Sequence, residues 1–406
     1  YIPELRDADP DRLAIALCMS DGTLYSQGDS DVAFTIQSIS KPFVYALALA
    51  DRGFDAVLEK VCVEPSGDAF NEISLESGTG RPLNPMINAG AIATHTLAGP
   101  VGAPPEVRLE RIVDGLSAFA GRRLEVDQNV ARSESETAFR NRALANMLRA
   151  YGIIDGDPLE AVDGYIAQCS LLVTVNDLAL MASTLANGGT NPATGVRVVP
   201  AAAVRQTLSV MSTCGMYNGA GDWMTRVGVP AKSGVAGGLI GALPGQAGMA
   251  TFSPRLDEHG NSVRGTALFE RFTSRMGMHL MDVPPAGPVV IRSRRRIADD
   301  TLMVSLQGSI RFQEAERMVR EFADHPPVER RLVIGLLRVT TVSDVARLMI
   351  LEAIRRLTND GLDVVLLDSD GVLPGVEPGA GATGTVRVLH SLRDLEGLDV
   401  DARPEG

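Results

Sequence analysis

Apolar residues recur along this chain in two rhythms, one helical and one extended. Helical spacing predicts helices over Phe43 to Ala50, Arg140 to Tyr151 and Asp177 to Ala186, the last closed by Asn187-Gly188-Gly189. Shorter extended runs predict strands at Leu13 to Cys18 and Met249 to Phe252. The character changes at Met281-Asp282-Val283-Pro284-Pro285-Ala286-Gly287-Pro288, where proline and glycine interrupt both rhythms. Beyond it, Val289 to Ser293 and Thr301 to Leu306 predict a hairpin-like start, and Gln313 to Ala323 a helix. Arg331 to Leu336 follows as a strand, Val345 to Thr358 as an amphipathic helix ended by Asn359-Asp360-Gly361, and Leu362 to Leu367 as a buried strand. That alternation predicts a small α/β domain. The Gly- and Pro-rich stretch from Pro374 to Gly384 reads as a loose loop, and no internal repeat is visible. The expected organisation is therefore two domains, residues 1–283 and 288–406.

Composition narrows the functional classes. The 406 residues exceed one domain at roughly 150 residues each, and 45% apolar content supplies more than one core. A net charge of -12 argues against a nucleic-acid binder, which carries a basic footprint. No apolar run approaches the roughly 18 residues of a membrane span, and no signal-peptide pattern opens the chain. The scattered Cys18, Cys62, Cys169 and Cys214 read as thiols of a reducing cytoplasm. The isolated histidines point away from a zinc site or a His-based triad. The run Arg292-Ser293-Arg294-Arg295-Arg296 reads as a solvated strand edge. Of the 38 basic residues only Lys41, Lys60 and Lys232 are lysines. This matters because a desolvated lysine amine can lose its proton, whereas a guanidinium cannot.

Two of those lysines fall in motifs that carry chemistry. Gln37-Ser38-Ile39-Ser40-Lys41-Pro42 precedes a helical run, and proline is tolerated in a helix's first turn. Ser38 then sits at a helix start with Lys41 one turn along, placed to take the serine proton while the helix N-terminus favours the resulting oxyanion. Alone, Ser-x-x-Lys is also what an N-capping serine beside a surface lysine looks like. The second motif, Lys232-Ser233-Gly234 followed by Val235-Ala236-Gly237-Gly238, reads as a strand edge. Serine acyl-transfer enzymes of the penicillin-recognising type pair these two motifs in this order. The strand's backbone N–H, here assigned to Val235, joins that of Ser38 as an oxyanion hole.

With these segments in view, residues 1 to about 280 resemble the serine-dependent glutaminase family, which has a β-lactamase-like fold with helices around an antiparallel sheet. The resemblance rests on the two motifs and on several further segments: Tyr1-Ile2-Pro3, Glu64-Pro65-Ser66-Gly67, Asn84-Pro85-Met86-Ile87-Asn88-Ala89-Gly90, Ser133-Glu134 with Arg140-Asn141-Arg142, Cys169-Ser170, Leu185-Ala186-Asn187-Gly188-Gly189 and Cys214-Gly215-Met216-Tyr217. It implies hydrolysis of L-glutamine to L-glutamate and ammonia without cofactor. Ser38 would be the nucleophile, Lys41 its activating partner and Tyr217 a proton-shuttling hydroxyl. Tyr1, Asn88, Glu134, Asn141 and Tyr165 would hold the amino acid, with Val235 supplying a backbone N–H.

Elementary chemistry agrees: an ammonium needs a carboxylate acceptor such as Glu134, and a carboxylate suits amide and phenol donors. Glu134 and Asn141 lie seven residues apart, two turns of one helix face if the segment is helical. Ala138-Phe139 stands where the family usually has Gly-Asp. Which of Lys41 and Tyr217 is the base in each step stays open, as does the role of Lys232. The resemblance also implies a homo-oligomer, a dimer or tetramer. Two other readings use the same residues: a β-lactamase or D,D-peptidase type acyl hydrolase, and a non-catalytic amino-acid sensor.

From about residue 288 the chain resembles a STAS domain through Leu306-Gln307-Gly308-Ser309-Ile310, Leu332-Val333-Ile334, a turn at Val339-Thr340 and Val364-Val365-Leu366-Leu367. That implies a regulatory module with a protein partner. The loop where the family carries Asp-Ser-[Ser/Thr]-Gly reads Ser343-Asp344-Val345-Ala346, so no phosphorylation site is assigned.

Overall fold

The computed structural model describes residues 2–66, 75–282, 290–378 and 380–397. The chain divides into two compact units, Tyr1–Asp282 and Val283–Gly406. Among the described residues no helix is long and apolar enough to cross a membrane.

The first unit is built on a five-stranded antiparallel sheet. In spatial order its strands are Leu24–Gly28, Ala14–Met19, Ala247–Phe252, Gly238–Leu243 and Ala231–Ser233. The Lys-Ser-Gly motif thus lies on an edge strand, with Lys232 opposite Ile240. Gly238–Leu243 and Ala247–Phe252 are buried at every position, which explains why their apolar character is continuous rather than alternating. Helix Val175–Ala186 packs on this sheet and is started by Thr174, whose hydroxyl accepts from Asp177 N while Asp177 reaches back to it. Helix Ser40–Arg52 is buried from Ser40 through Leu49, as expected of a helix apolar on nearly all sides. It ends at Gly53, whose φ of 81° suits a residue without a side chain.

The second unit holds a mixed sheet in the order Val386–Leu389, Asp363–Leu367, Arg331–Val342, Thr301–Ile310 and Ile291–Ala298. Only the last pair is antiparallel. Helices Phe312–Asp324 and Asp344–Asn359 pack together, and Met318, Phe322, Ile350 and Ile354 form one core with Val304, Leu306 and Ile334. The basic run lies on the edge strand, where Arg294 pairs with Glu321 and Arg296 with Glu329.

One sequence expectation is corrected here. The expected turn at Val339-Thr340 is absent: the strand continues to Val342, because four consecutive β-branched residues favour extended backbone. Register shifts between Gly335 and Arg338 and between Val339 and Thr341 supply the irregularity instead. Past the loop at 374–384, a four-residue strand and helix Leu392–Gly397 follow that the pattern did not announce, the strand being too short for a period to register. Val289 and most of the expected boundary fall outside the described residues.

Candidate active site

The site is assembled at one end of several helices. Residues Gln37–Ile39 form a single 3-10 turn leading into helix Ser40–Arg52, so Ser38 stands just before the α-helix and Lys41 in its first turn. The turn is strained. Among the described residues only Gln37 and Tyr217 combine a side chain with left-handed backbone, at φ of 50° and 54°. Such conformations cost about 1–3 kcal/mol and persist where surroundings enforce them.

For Gln37 those surroundings are visible as a buried chain of hydrogen bonds. Ser40 Oγ donates to the Gln37 carbonyl at 2.8 Å, and Gln168 Nε2 donates to Ser40 Oγ at 3.0 Å. Gln168 Oε1 lies 3.0 Å from His95 Nδ1. Since the amide nitrogen is engaged with the serine, its oxygen must accept, which assigns the proton to His95 Nδ1. Burial pushes the imidazole pKa down to about 4, so it stays neutral. Ser40→Ala removes the first link in a region where misplacement of about 1 Å can cost on the order of a hundredfold. The expected result is a folded protein with kcat lower by about tenfold or more and KM little changed, read from initial rates alongside circular dichroism.

Lys41 is fully buried, and its Nζ donates to Asn88 Oδ1 at 2.8 Å and to the Met86 carbonyl at 3.2 Å. Burial brings its pKa down to about 8. That value already includes opposing contributions from Tyr217 and Cys169 and a lowering by the nearby Lys232. Lys232 is likewise buried; its Nζ donates to Ser233 O at 2.8 Å and lies 3.9 Å above the Tyr217 ring. Burial takes this amine down to about 7. The edge strand reaches the nucleophile turn because position 234 carries no side chain: a Cβ there would already stand 3.1 Å from Ile36 O and Ile39.

Ser38, Val235, Asn88, Glu134, Asn141 and Tyr165 line one cavity of about 100 Å³. Gln37, Ile166 and Cys169 complete its wall. Asn88 Nδ2 donates to Asn141 Oδ1 at 3.0 Å, and the Tyr165 hydroxyl donates to Asn88 Oδ1 at 3.4 Å. Burial raises the Glu134 carboxyl above its ordinary value, opposed by a hydrogen bond from Gln37. Tyr217 lines another cavity, of about 550 Å³, with Asn84, Ile87 and Cys214. Tyr1 lies outside the described residues.

One expectation about this wall needs correction. Glu134 and Asn141 do not share a helix: Gln128–Thr137 and Phe139–Ala150 are separate, broken at Ala138, whose ψ of 25° leaves the helical range. Both side chains still reach the same cavity. Gln37, Cys169, His95 and Gln168 received no roles from the sequence. For Gln37 and Cys169 the signal was membership in the matching segments; His95 and Gln168 offered none. Cys169 is held by burial at about 11, so it keeps its proton, and its Sγ lies 3.8 Å from Ser40 Oγ.

A helix-flanked antiparallel sheet, with Ser-x-x-Lys at a helix start against a Lys-Ser-Gly edge strand, fits the β-lactamase-like class. The family model described as Glutaminase matches residues 1–281. The chain is 49% identical over 374 residues to the glutaminase of Corynebacterium glutamicum, spanning 92% of this chain and 90% of that protein. To the glutaminase of Corynebacterium efficiens it is 46% identical over 374 residues, spanning 92% and 88%. A crystal structure of a protein called Mglu aligns with a TM-score of 0.86 at 49% identity, over 92% of this chain and 94% of that one. Mglu in its tris and glutamate form aligns with a TM-score of 0.86 at 44% identity over the same shares. The chain belongs to the glutaminase family of enzymes.

Proposed function

We propose that this enzyme hydrolyses L-glutamine to L-glutamate and ammonia through a γ-glutamyl ester on Ser38. The observation that carries the reading is the convergence of Ser38, Val235 and the polar set Asn88, Glu134, Asn141 and Tyr165 on one small cavity, next to a buried amine of lowered basicity. Glu134 accepts the substrate ammonium. Asn141, whose side-chain oxygen is occupied by Asn88, presents its amide nitrogen to the α-carboxylate, beside the Tyr165 hydroxyl.

The side-chain amide carbon then lies against Ser38. A neutral Lys41 donates to Asn88 Oδ1 and the Met86 carbonyl and takes the serine proton on its lone pair. Attack forms the C–O bond and moves charge onto the amide oxygen, which the N–H groups of Ser38 and Val235 receive. The tetrahedral intermediate collapses by breaking the C–N bond, with the proton delivered to the departing nitrogen by Lys41 or Tyr217. Water repeats the sequence on the ester. Lys232 holds the Tyr217 ring in place.

The second unit is read as a STAS-like interaction module and the assembly as a homo-oligomer. The mostly parallel sheet with two helices packed together supports the first of these. Four free, buried cysteines suit a reducing cytoplasm. The test is ammonia release by the purified chain: L-glutamine turned over well ahead of L-asparagine supports the reading. Faster hydrolysis of a chromogenic cephalosporin would favour the acyl hydrolase alternative, and glutamine binding without turnover the sensor.

A further inference from the structure

A second cavity, of about 680 Å³, lies at the far ends of the helices that build the site. This is within the roughly 300–1,000 Å³ of small-molecule pockets. Three helices run between the two. Ser40–Arg52 carries Lys41 at one end and Arg52 at the other. Asn88–Leu97 begins with Asn88 and ends on the second cavity. Pro158–Cys169 starts there with Glu160 and reaches the catalytic cavity with Tyr165 and Cys169.

Arg52 and Arg108 share the wall of this cavity. Arg52 Nε donates to Leu97 O at 3.0 Å and Arg108 Nη2 to Ala103 O at 2.9 Å. Among the described residues neither guanidinium has an ion-pair partner, and Arg108 Nε is buried without a hydrogen-bond acceptor. The nearby carboxylate of Asp51 is taken by Arg111 at 2.8 Å and by Gly99 N at 2.7 Å. Burial and then the Arg52 charge hold Arg108 below its ordinary basicity, with Glu160 opposing. In a half-buried place these like charges disfavour each other, Glu160 offsetting only part of the Arg108 charge, and an anion between the two guanidiniums relieves both. The same cavity is lined by the exposed carboxylates of Glu59, Asp155, Asp157 and Glu160, and by Lys60, which is tied to Gly152 O. A ligand that satisfies both the guanidiniums and the carboxylates carries an anion and a cation a few atoms apart.

The cavity also reaches the nucleophile turn. Arg108 is among the charges that depress His95, the first member of the chain His95, Gln168, Ser40, Gln37. At position 164 a Cβ would stand 2.4 Å from His95 Nε2, so helix Pro158–Cys169 is pressed directly on the imidazole. A ligand at Arg108 and Glu160 therefore bears on both supports of that chain.

We propose that this cavity is a second binding site, separate from the catalytic one, for a small α-amino acid whose carboxylate sits on Arg52 and Arg108 and whose ammonium sits on Glu160. L-Glutamate is the amino acid at hand, and only that identification rests on the glutaminase reading.

Equilibrium dialysis of the full chain against labelled L-glutamate tests this. Two molecules bind per chain in the wild type. Arg108→Met and the exposed Glu160→Gln each weaken one of the two by about tenfold or more, as loss of a charge-assisted hydrogen bond implies. Glu134→Gln removes the catalytic one and leaves the other. A single site in the wild type overturns the proposal, as does a second site indifferent to both Arg108→Met and Glu160→Gln. Competition by inorganic phosphate with no uptake of L-glutamate there overturns the amino-acid assignment. Loss of one site in the Arg108 and Glu160 variants supports the proposal even where Glu134→Gln leaves both sites, a result that counts against the catalytic assignment alone.

Discussion

Ser38→Ala is expected to leave ammonia release from L-glutamine lower by about 10⁴-fold or more. Loss of the nucleophile removes the covalent route altogether, and what survives is the contribution of binding and oxyanion donors to direct attack by water. The substitution should also leave the protein folded. The structural hydrogen bonds of this turn belong to Ser40, which donates to Gln37 and accepts from Gln168, rather than to Ser38. Replacing a hydroxymethyl with a methyl at a position 7% exposed removes little apolar contact. Thermal unfolding and L-glutamate binding are the controls. A variant that keeps its unfolding midpoint, still binds glutamate and releases ammonia at a wild-type rate would remove Ser38 from the chemistry and leave the cavity a recognition site.

Much of this was legible along the chain. The helix from Phe43 and the strands at Leu13 and Met249 announce themselves because each buries one face or all of its faces, and burial leaves a period in the sequence. Ser38, Lys41, Lys232 and Val235 could be picked out because their chemistry depends on short spacing within local segments. Asn88, Glu134, Asn141 and Tyr165 came from matching segments; that they meet at one cavity is a property of the tertiary fold. The break at Ala138 was hidden because nothing at that position forbids a continuous helix. Least legible was the chain from His95 to Gln37. A buried histidine and a buried glutamine are ordinary core residues until the hydrogen bond between them is seen, and the positive φ of Gln37 leaves no mark on a residue type that is usually right-handed.

Lys41→Met is expected to lower kcat by about 10²–10⁴-fold, the usual contribution of a positioned base, and to change the pH profile along with the rate. The sign follows from the protonation state required. A base must be neutral, and burial has brought this amine from the ordinary lysine range near 10.5 to about 8. Below that pH, kcat/KM should rise tenfold per unit as the ammonium loses its proton. Above it the curve should flatten, whereas an unperturbed lysine would keep it rising past 10. Lys232, at about 7 and close enough to lower Lys41, titrates with it, so the inflection belongs to the coupled pair. Acid sensitivity from Glu134 enters separately, through KM, when its raised carboxyl is protonated and can no longer take the substrate ammonium. Lys41→Met should therefore flatten the rise toward pH 8 while leaving the low-pH loss of binding in place, a split that initial rates across pH 5 to 10 resolve. A steep rise toward pH 8 that persists without the amine would transfer the role of base to another group, with Tyr217 the first to examine by Tyr217→Phe.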